Sequence, residues 1–317
     1  MGLIETAARR LDTLARAGIE VPGLSNTSTL TVGPSGLSPS LKDGASFSPG
    51  KARRVPPVPW GPVDRVELDL QGLSGKGYVT PNLGRSQLAD EFRRPKRVLL
   101  HNALNPPRSM ADRSALIMVT SALPGEGKTF CAINLALSMA MEVHTEVLLV
   151  DADTVRPSVM SRLGLSPRRG LTELLTESDL TLRDVAVSTN IPRLSVLPPG
   201  EPHQQAHELF ASERMSHILL EWLHQGERRT VVLDAPACLV SCEAAALAAL
   251  AGQVVVVVQA EKTPKSLVQK AFDSLKGAPL VYSILNQCTE QPTAQRYGEA
   301  YAPPLAALHS RAESPDV

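Results

Sequence analysis

The sequence has no excess of either charge: 32 lysines and arginines stand against 32 aspartates and glutamates in 317 residues. That balance excludes the uniform positive field of a dedicated nucleic-acid binder, and no nucleic acid is expected among the partners. Long apolar runs are also missing. The longest candidate, around Val254–Val258, falls far short of the roughly 20 residues that a membrane-spanning helix needs. The opening residues, MGLIETAARR, carry charge and no apolar core of signal-peptide length, so a secretory leader is not expected. Cysteine is scarce: Cys131, Cys238, Cys242 and Cys288 form no CxxC pair, which argues against structural zinc. Each lies in an apolar context that suits a small buried hydrophobe. A cytoplasmic protein is expected, with peripheral docking at the inner face of the plasma membrane left open.

What is present falls into four stretches. Residues 1–22 place Leu3, Ala7, Leu11 and Leu14 at helical spacing with Arg9, Arg10 and Arg16 between them, the pattern of a short amphipathic helix. Residues 23–64 are dense in proline, glycine and serine and read as a flexible linker. Residues 65–290 carry the expected domain, and residues 291–317 a polar tail. Within the domain, Val66, Leu68 and Leu70 alternate with acidic residues as in a short strand, and the pattern from Leu88 to Leu100 is a helix interrupted at Pro95. After Arg113, apolar strands alternate with helical stretches: Ala115–Thr120, Val147–Val150, Leu194–Leu197, Thr230–Leu233, Val254–Val258 and Leu280–Leu285. Continuous apolar runs of this kind belong to strands covered on both faces, so the fold class is α/β with a doubly wound, mainly parallel sheet of the P-loop type. Ligands bind beyond the carboxyl ends of such strands.

The first of these strands runs into Ala122-Leu-Pro-Gly-Glu-Gly-Lys-Thr129, the nucleotide-binding loop pattern with alanine in place of the first glycine. Pro124, Gly125, Glu126, Gly127, Lys128, Thr129 and Phe130 are the expected nucleotide-binding residues. The two glycines let backbone N–H groups point at phosphate oxygens, Lys128 supplies a point charge, and Thr129 offers a hydroxyl to Mg²⁺. The helix Phe130–Met141 presents its positive end to the same phosphates. Two further strands end in carboxylates, Asp151-Ala-Asp153 and Asp234-Ala-Pro236. Asp151 and Asp234 are the expected metal-shell carboxylates beside Thr129, and Asp153 or Asp151 the one that orients or deprotonates an incoming hydroxyl, with Lys128.

These three motifs resemble those of the bacterial tyrosine kinases, relatives of the septum-site and plasmid-partition ATPases. The stretches EFRRPKRVLLHNAL, ALIMVTSALPGEGKTFCAINLALSMAMEV, VLLVDAD and GQVVVVVQA are similar to the exosortase-associated tyrosine autokinase branch, from about Val66 to Asn286. The resemblance implies an ATP- and Mg²⁺-dependent autokinase that regulates exopolysaccharide synthesis or export. It implies a homo-oligomer, with a ring as one form, an inner-membrane polysaccharide co-polymerase as partner, and a cognate tyrosine phosphatase. It also implies that Asn286, just past the last strand, reads the adenine edge; an asparagine ending a strand at a turn is the plainer alternative. Leu123 stands where the partition type carries a second lysine, which favours the kinase over a regulatory ATPase or a nucleotide-dependent scaffold.

The sequence departs from the family's pattern in places. Many members have arginine two residues after the second aspartate, where this chain has Val155 followed by Arg156. The ring-forming Glu-x-x-Arg-x-x-Arg spacing is offered by Glu91, Arg94 and Arg97, or by Asp90, Arg93 and Lys96 in the alternative register. The family's tyrosine cluster is reduced to Tyr297 and Tyr301, with Tyr78 and Tyr282 in more apolar settings. Transfer between neighbouring subunits onto the tail tyrosines is the expected chemistry.

Overall fold

The computed structural model of this chain describes residues 64–288, less 84–85, 107–109, 111 and 227. The N-terminal helix expected over residues 1–22, nearly all of the linker and the tail with Tyr297 and Tyr301 lie outside the described residues. The chain runs β1 (Asp64–Val66), α1 (Leu70–Gly75), a 3₁₀ turn (Pro81–Leu83), α2 (Gln87–Leu104), β2 (Leu116–Ser121), α3 (Lys128–Ala140), β3 (Glu146–Asp151), α4 (Val159–Arg162), α5 (Leu171–Thr176) and α6 (Leu182–Val185). It continues through β4 (Val187–Thr189), β5 (Leu194–Leu197), α7 (Ala206–Phe210), α8 (Glu213–His224), β6 (Arg229–Asp234), α9 (Glu243–Leu250), β7 (Gln253–Gln259), α10 (Lys265–Ser274) and β8 (Leu280–Asn286).

The strands form one sheet in the order β1-β4-β5-β3-β6-β2-β7-β8. Every pairing is parallel except β4 with β5. The central strands β2 and β6 are buried along their whole length, as continuous apolar strands between two helical layers must be. Side-chain alternation divides the core in two. Met118, Leu148, Leu233 and Val256 face the layer of Leu219, Trp222, Leu247 and Ala271. Ile117, Leu149, Val232 and Val255 face Phe92, Leu99, Ile133 and Leu137 on α2 and α3.

The mainly parallel sheet matches the expected architecture, and three local expectations need correction. Pro95 does not interrupt α2, which runs unbroken over 18 residues. The N–H that a residue at this position would donate goes to the Glu91 carbonyl, and Glu91 is exposed, so water can meet that carbonyl instead. The strand expected through Leu70 ends at Val66, because Asp69 caps α1 by accepting from Gly72 N–H at 2.9 Å. Of the cysteines, Cys131 is buried and Cys238 half-buried, whereas Cys242 and Cys288 are exposed. Cys242 opens α9 and Cys288 follows the last strand, both beyond the packed layers.

A buried amide ties α2 to the sheet. Gln253, fully buried at the start of β7, donates to the Leu99 carbonyl at 3.0 Å and the Ser114 carbonyl at 2.7 Å, and accepts from Asn102 Nδ2 at 2.9 Å. The same Asn102 amide donates to the Tyr282 hydroxyl at 2.8 Å. Replacing this amide by an isosteric apolar group removes the donor to two carbonyls and one of the two acceptors of the Asn102 amide. Gln253→Leu is therefore expected to lower unfolding stability by about 2 kcal/mol, read as a lower urea midpoint at unchanged slope; an unchanged midpoint would show that the network contributes nothing.

Candidate nucleotide site

The parallel strands β3, β6, β2, β7 and β8 end on one edge of the sheet, and the chemistry-bearing residues follow those ends. Asp151 and Asp234 are register partners on adjacent strands. The loop after β2 turns through Gly125 and Gly127 at φ +93° and +97°, left-handed values that glycine adopts without strain. Gly127 is the N-cap of α3, whose first helical residue is Lys128. The loop's backbone N–H groups and the positive end of a 13-residue helix therefore share one edge with the carboxylates.

Lys128 Nζ lies 2.5 Å from Asp153 Oδ2 and 3.6 Å from Asp234 Oδ1, and donates to Thr129 Oγ1 at 3.4 Å. Asp153 Oδ1 accepts from Arg156 N–H at 3.0 Å. Asp151 Oδ2 accepts from the backbone of Ser158 at 3.1 Å and Val159 at 2.9 Å, at the start of α4. Its Oδ1 and both oxygens of Asp234 are buried and receive no hydrogen bond of ordinary geometry, although the Lys128 ammonium and the Thr129 hydroxyl stand beside Asp234. Burial, and then the charge of Asp234, push the Asp151 carboxyl up to about 7. Burial likewise raises Asp234 to about 6, opposed by the Lys128 ammonium. Carboxylates so far above their ordinary range, with oxygens left unmet, are suited to a hard cation. Among the described residues no three His, Cys, Asp or Glu side chains are grouped closely enough to hold a metal by themselves. A cation here must therefore take further ligands from water and phosphate, as Mg²⁺ does.

The loop is braced from two sides. Glu126, buried, accepts from Leu123 N–H at 2.8 Å and from the Thr263 hydroxyl. From the end of β8, Asn286 Nδ2 donates to the Glu126 carbonyl at 2.9 Å and Gln287 Nε2 to the Gly125 carbonyl at 3.3 Å. A Cβ on Gly127 would stand 2.0 Å from Asn286 Nδ2, so glycine here also makes room for the brace. Asn286, expected at the adenine edge, spends its amide on the loop backbone in this structure. Phe130 turns away from the loop and packs against Tyr78 and Phe92, ring centroids 5.4 and 6.3 Å apart.

The structure thus gathers Lys128, Thr129, Asp151, Asp153 and Asp234 at one point, with Pro124 and Gly125 exposed beside it. Sequence reasoning missed Ser158, whose hydroxyl donates to Thr129 Oγ1 at 3.2 Å, together with Thr263 and Gln287. A serine one residue after Pro157 and a threonine before Pro264 are ordinary turn residues in a sequence, and only the fold brings them to the loop. Glu91, Arg94 and Arg97 share the exposed side of α2, whereas in the other register Lys96 is buried against Glu142 at 2.5 Å. Tyr78 is buried, and Tyr282 is held by Asn102.

With this geometry in place, comparison with known proteins gives a consistent picture. Residues 114–276 match the family described as AAA domain. The tyrosine-protein kinase YwqD of Bacillus subtilis is 33% identical over 159 residues, 50% of this chain and 65% of that protein. The succinoglycan biosynthesis transport protein ExoP of Rhizobium meliloti is 32% identical over 224 residues, 69% of this chain but 27% of that protein. The tyrosine-protein kinase CpsD of Streptococcus agalactiae is 30% identical over 188 residues, 58% of this chain and 79% of that protein. The chain therefore spans slightly under two thirds of YwqD and about a quarter of ExoP. The kinase domain of the Escherichia coli tyrosine kinase ETK superposes with a TM-score of 0.58 at 25% identity, covering 68% of this chain and 80% of that one. Among the described residues no helix is long and apolar enough to cross a membrane. The chain belongs to the bacterial tyrosine-protein kinases of the P-loop, AAA-domain ATPase superfamily.

Proposed function

We propose that this chain is an ATP-dependent protein tyrosine autokinase acting in exopolysaccharide synthesis or export. The observation that carries the proposal is the meeting of one ammonium, one hydroxyl and three carboxylates at the mouth of a phosphate loop, two of the carboxylates with unmet oxygens. In this reading Gly125–Thr129 cradle the ATP phosphates and Lys128 moves from Asp153 toward the β- and γ-phosphates. Thr129, Asp151 and Asp234 hold Mg²⁺ directly or through water, and when bound the ion neutralises charge on the transferring phosphoryl group. Asp153, freed of Lys128, is placed to orient or deprotonate the attacking tyrosine hydroxyl. Catalysis is then mainly positioning and charge neutralisation. Asn286 keeps the loop curled, and its Oδ1 remains available to the base.

Tyr297 and Tyr301 are the proposed acceptors. Tyr78 and Tyr282 are committed to packing and to Asn102, which supports placing the acceptors elsewhere. The exposed Glu91, Arg94 and Arg97 stripe is the proposed contact between copies, and it favours transfer from one copy to the next. An inner-membrane polysaccharide co-polymerase and a cognate phosphatase are the proposed partners, on the family resemblance; one relative is named for succinoglycan biosynthesis and transport. The domain limits proposed are 65–290 for the kinase and 291–317 for the acceptor tail.

Lys128→Met removes the charge at similar length, and autophosphorylation is expected to fall by about a thousandfold or more, measured as phosphotyrosine by intact mass with Mg-ATP. Full activity in that variant would sink the site assignment; ATP hydrolysis without phosphotyrosine in the wild type would favour a regulatory ATPase. Mixing the Lys128→Met chain with a chain carrying Tyr297→Phe and Tyr301→Phe should put phosphate on the first chain alone. Modification of Tyr78 or Tyr282, or no transfer in the mixture, would refute the tail as acceptor in trans.

The raised carboxylates set a pH dependence. With folded values of about 7 for Asp151 and about 6 for Asp234, against about 3.9 for an unfolded aspartate, the metal-free folded state binds more protons than the unfolded state between these limits. Their stabilising contribution is complete below about pH 4 and is lost as pH rises through 6 to 7. Metal-free protein should therefore gain thermal stability on going from pH 8 to pH 6. Asp234→Asn should weaken this dependence, raise the melting temperature at pH 8, and abolish the stabilisation that Mg-ADP gives the wild type there. A pH profile unchanged by the substitution would show that Asp234 is not a source of the dependence, and Mg-ADP stabilisation left intact by it would remove Asp234 from the metal shell.

A further inference from the structure

Ser158 holds the N-cap position of α4, where a serine ordinarily turns its oxygen onto the second or third N–H of its own helix. Here it makes no such bond. Its hydroxyl donates instead to Thr129 Oγ1 at 3.2 Å, while its backbone N–H donates to Asp151 Oδ2 at 3.1 Å. One half-buried serine thus touches two of the three residues proposed to hold the metal, and none of the roles assigned above uses it.

Two polar side-chain contacts tie the loop between β3 and α4 to helix α3: Lys128 with Asp153 at 2.5 Å, and Ser158 with Thr129. They are not equivalent. On the proposed reading Lys128 gives up Asp153 for the β- and γ-phosphates, so the first tie is lost when the nucleotide binds and the second is left to hold the loop. A threonine hydroxyl has one proton and two acceptor positions. In this structure both acceptor positions of Thr129 are in use, by Ser158 and by the Lys128 ammonium at 3.4 Å, and Asp234 stands beside the hydroxyl. Departure of Lys128 frees one position for a cation, and Ser158 on the other limits how the hydroxyl can turn.

The carboxylates depend on the same residue. The N–H groups of Ser158 and Val159 hold Asp151 Oδ2 and leave Oδ1 unmet. Because one residue supplies both the hydroxyl on Thr129 and an N–H on Asp151, fixing the first also fixes where Asp151 is held relative to Thr129. Asp153 Oδ1 is kept by Arg156 N–H, two residues earlier on the same loop.

Resting on the autokinase reading, we infer that Ser158 is a positioning residue whose hydroxyl keeps Thr129 in register with Asp151 and the Asp153 loop once Lys128 has moved to the phosphates. It acts through Thr129 and Asp151. Outer hydrogen bonds of this kind orient metal ligands, and their loss typically weakens metal binding by about 10- to 100-fold.

The test uses the full chain, N-methylanthraniloyl-ADP fluorescence and a Mg²⁺ titration, which read binding apart from transfer. Ser158→Ala is expected to bind the nucleotide as the wild type does in EDTA, and to need about tenfold more Mg²⁺ to reach half of the metal-induced gain in affinity. With ATP its kcat should fall at low Mg²⁺ and recover as Mg²⁺ is raised. Ser158→Thr, which keeps the hydroxyl, should restore the wild-type Mg²⁺ requirement. A merely structural role would weaken nucleotide binding equally with and without Mg²⁺, and that outcome overturns the inference. So does an unchanged Mg²⁺ requirement in Ser158→Ala, or a Ser158→Thr chain that behaves like Ser158→Ala. A raised requirement in Ser158→Ala, beside a wild type that binds nucleotide and forms no phosphotyrosine, upholds the role of Ser158 and sinks the kinase reading.

Discussion

One ammonium against three carboxylates is the constraint on which the rest of this structure depends. Lys128 is the close cation for Asp153 and Asp234, and Asp151 is satisfied by backbone N–H groups on one oxygen alone. Burying that much negative charge costs free energy unless protons, cations or hydrogen bonds offset it, and the raised pKa values of Asp151 and Asp234 express that cost. Such a site has two ways to relax: it can take up protons, or it can bind a divalent cation with its phosphates. On the proposed reading the second route is the one used, and the cleft gains stability by binding its ligand.

The imbalance has consequences for the loop. A nucleotide brings several negative oxygens toward carboxylates that are already crowded, so the donors that receive it must be in place beforehand. Glu126 serves that end. It would be an odd residue to bury beside phosphates if it were free, but both of its oxygens are occupied, by the loop's own Leu123 N–H and by Thr263. Its charge is spent on curling the loop. Asn286 and Gln287 act from the opposite side on the carbonyls of Glu126 and Gly125, holding those carbonyls by donated bonds while the N–H groups stay free for phosphate.

Helix α2 joins this centre to the surface. Phe92 on its buried face meets Phe130, the residue after the Thr129 hydroxyl, and Lys96 pairs with Glu142 just past the end of α3. On its exposed face run Glu91, Arg94 and Arg97. A break at Pro95 would have uncoupled the two halves of the helix. Because it is continuous, a partner gripping the exposed face meets the element that packs directly on the phosphate-loop helix.

Much of this was legible in the sequence, for identifiable reasons. Continuous apolar runs such as Val254–Val258 can be stable only between two helical layers, so the sheet was readable from composition along the chain. The phosphate loop and the strand-end aspartates were readable because their chemistry leaves few alternatives at that spacing. The braces were not. Thr263, Gln287 and Ser158 are common turn residues, and their roles arise from contacts across 137, 162 and 29 residues of sequence. Pro95 failed as a helix breaker because the local penalty was read without its context: one lost hydrogen bond at an exposed turn is small beside the burial of Phe92, Lys96 and Leu99 on the other face. Local propensity loses where tertiary packing outweighs it, and in this chain that happens on the helix that touches both the solvent and the phosphate-loop helix.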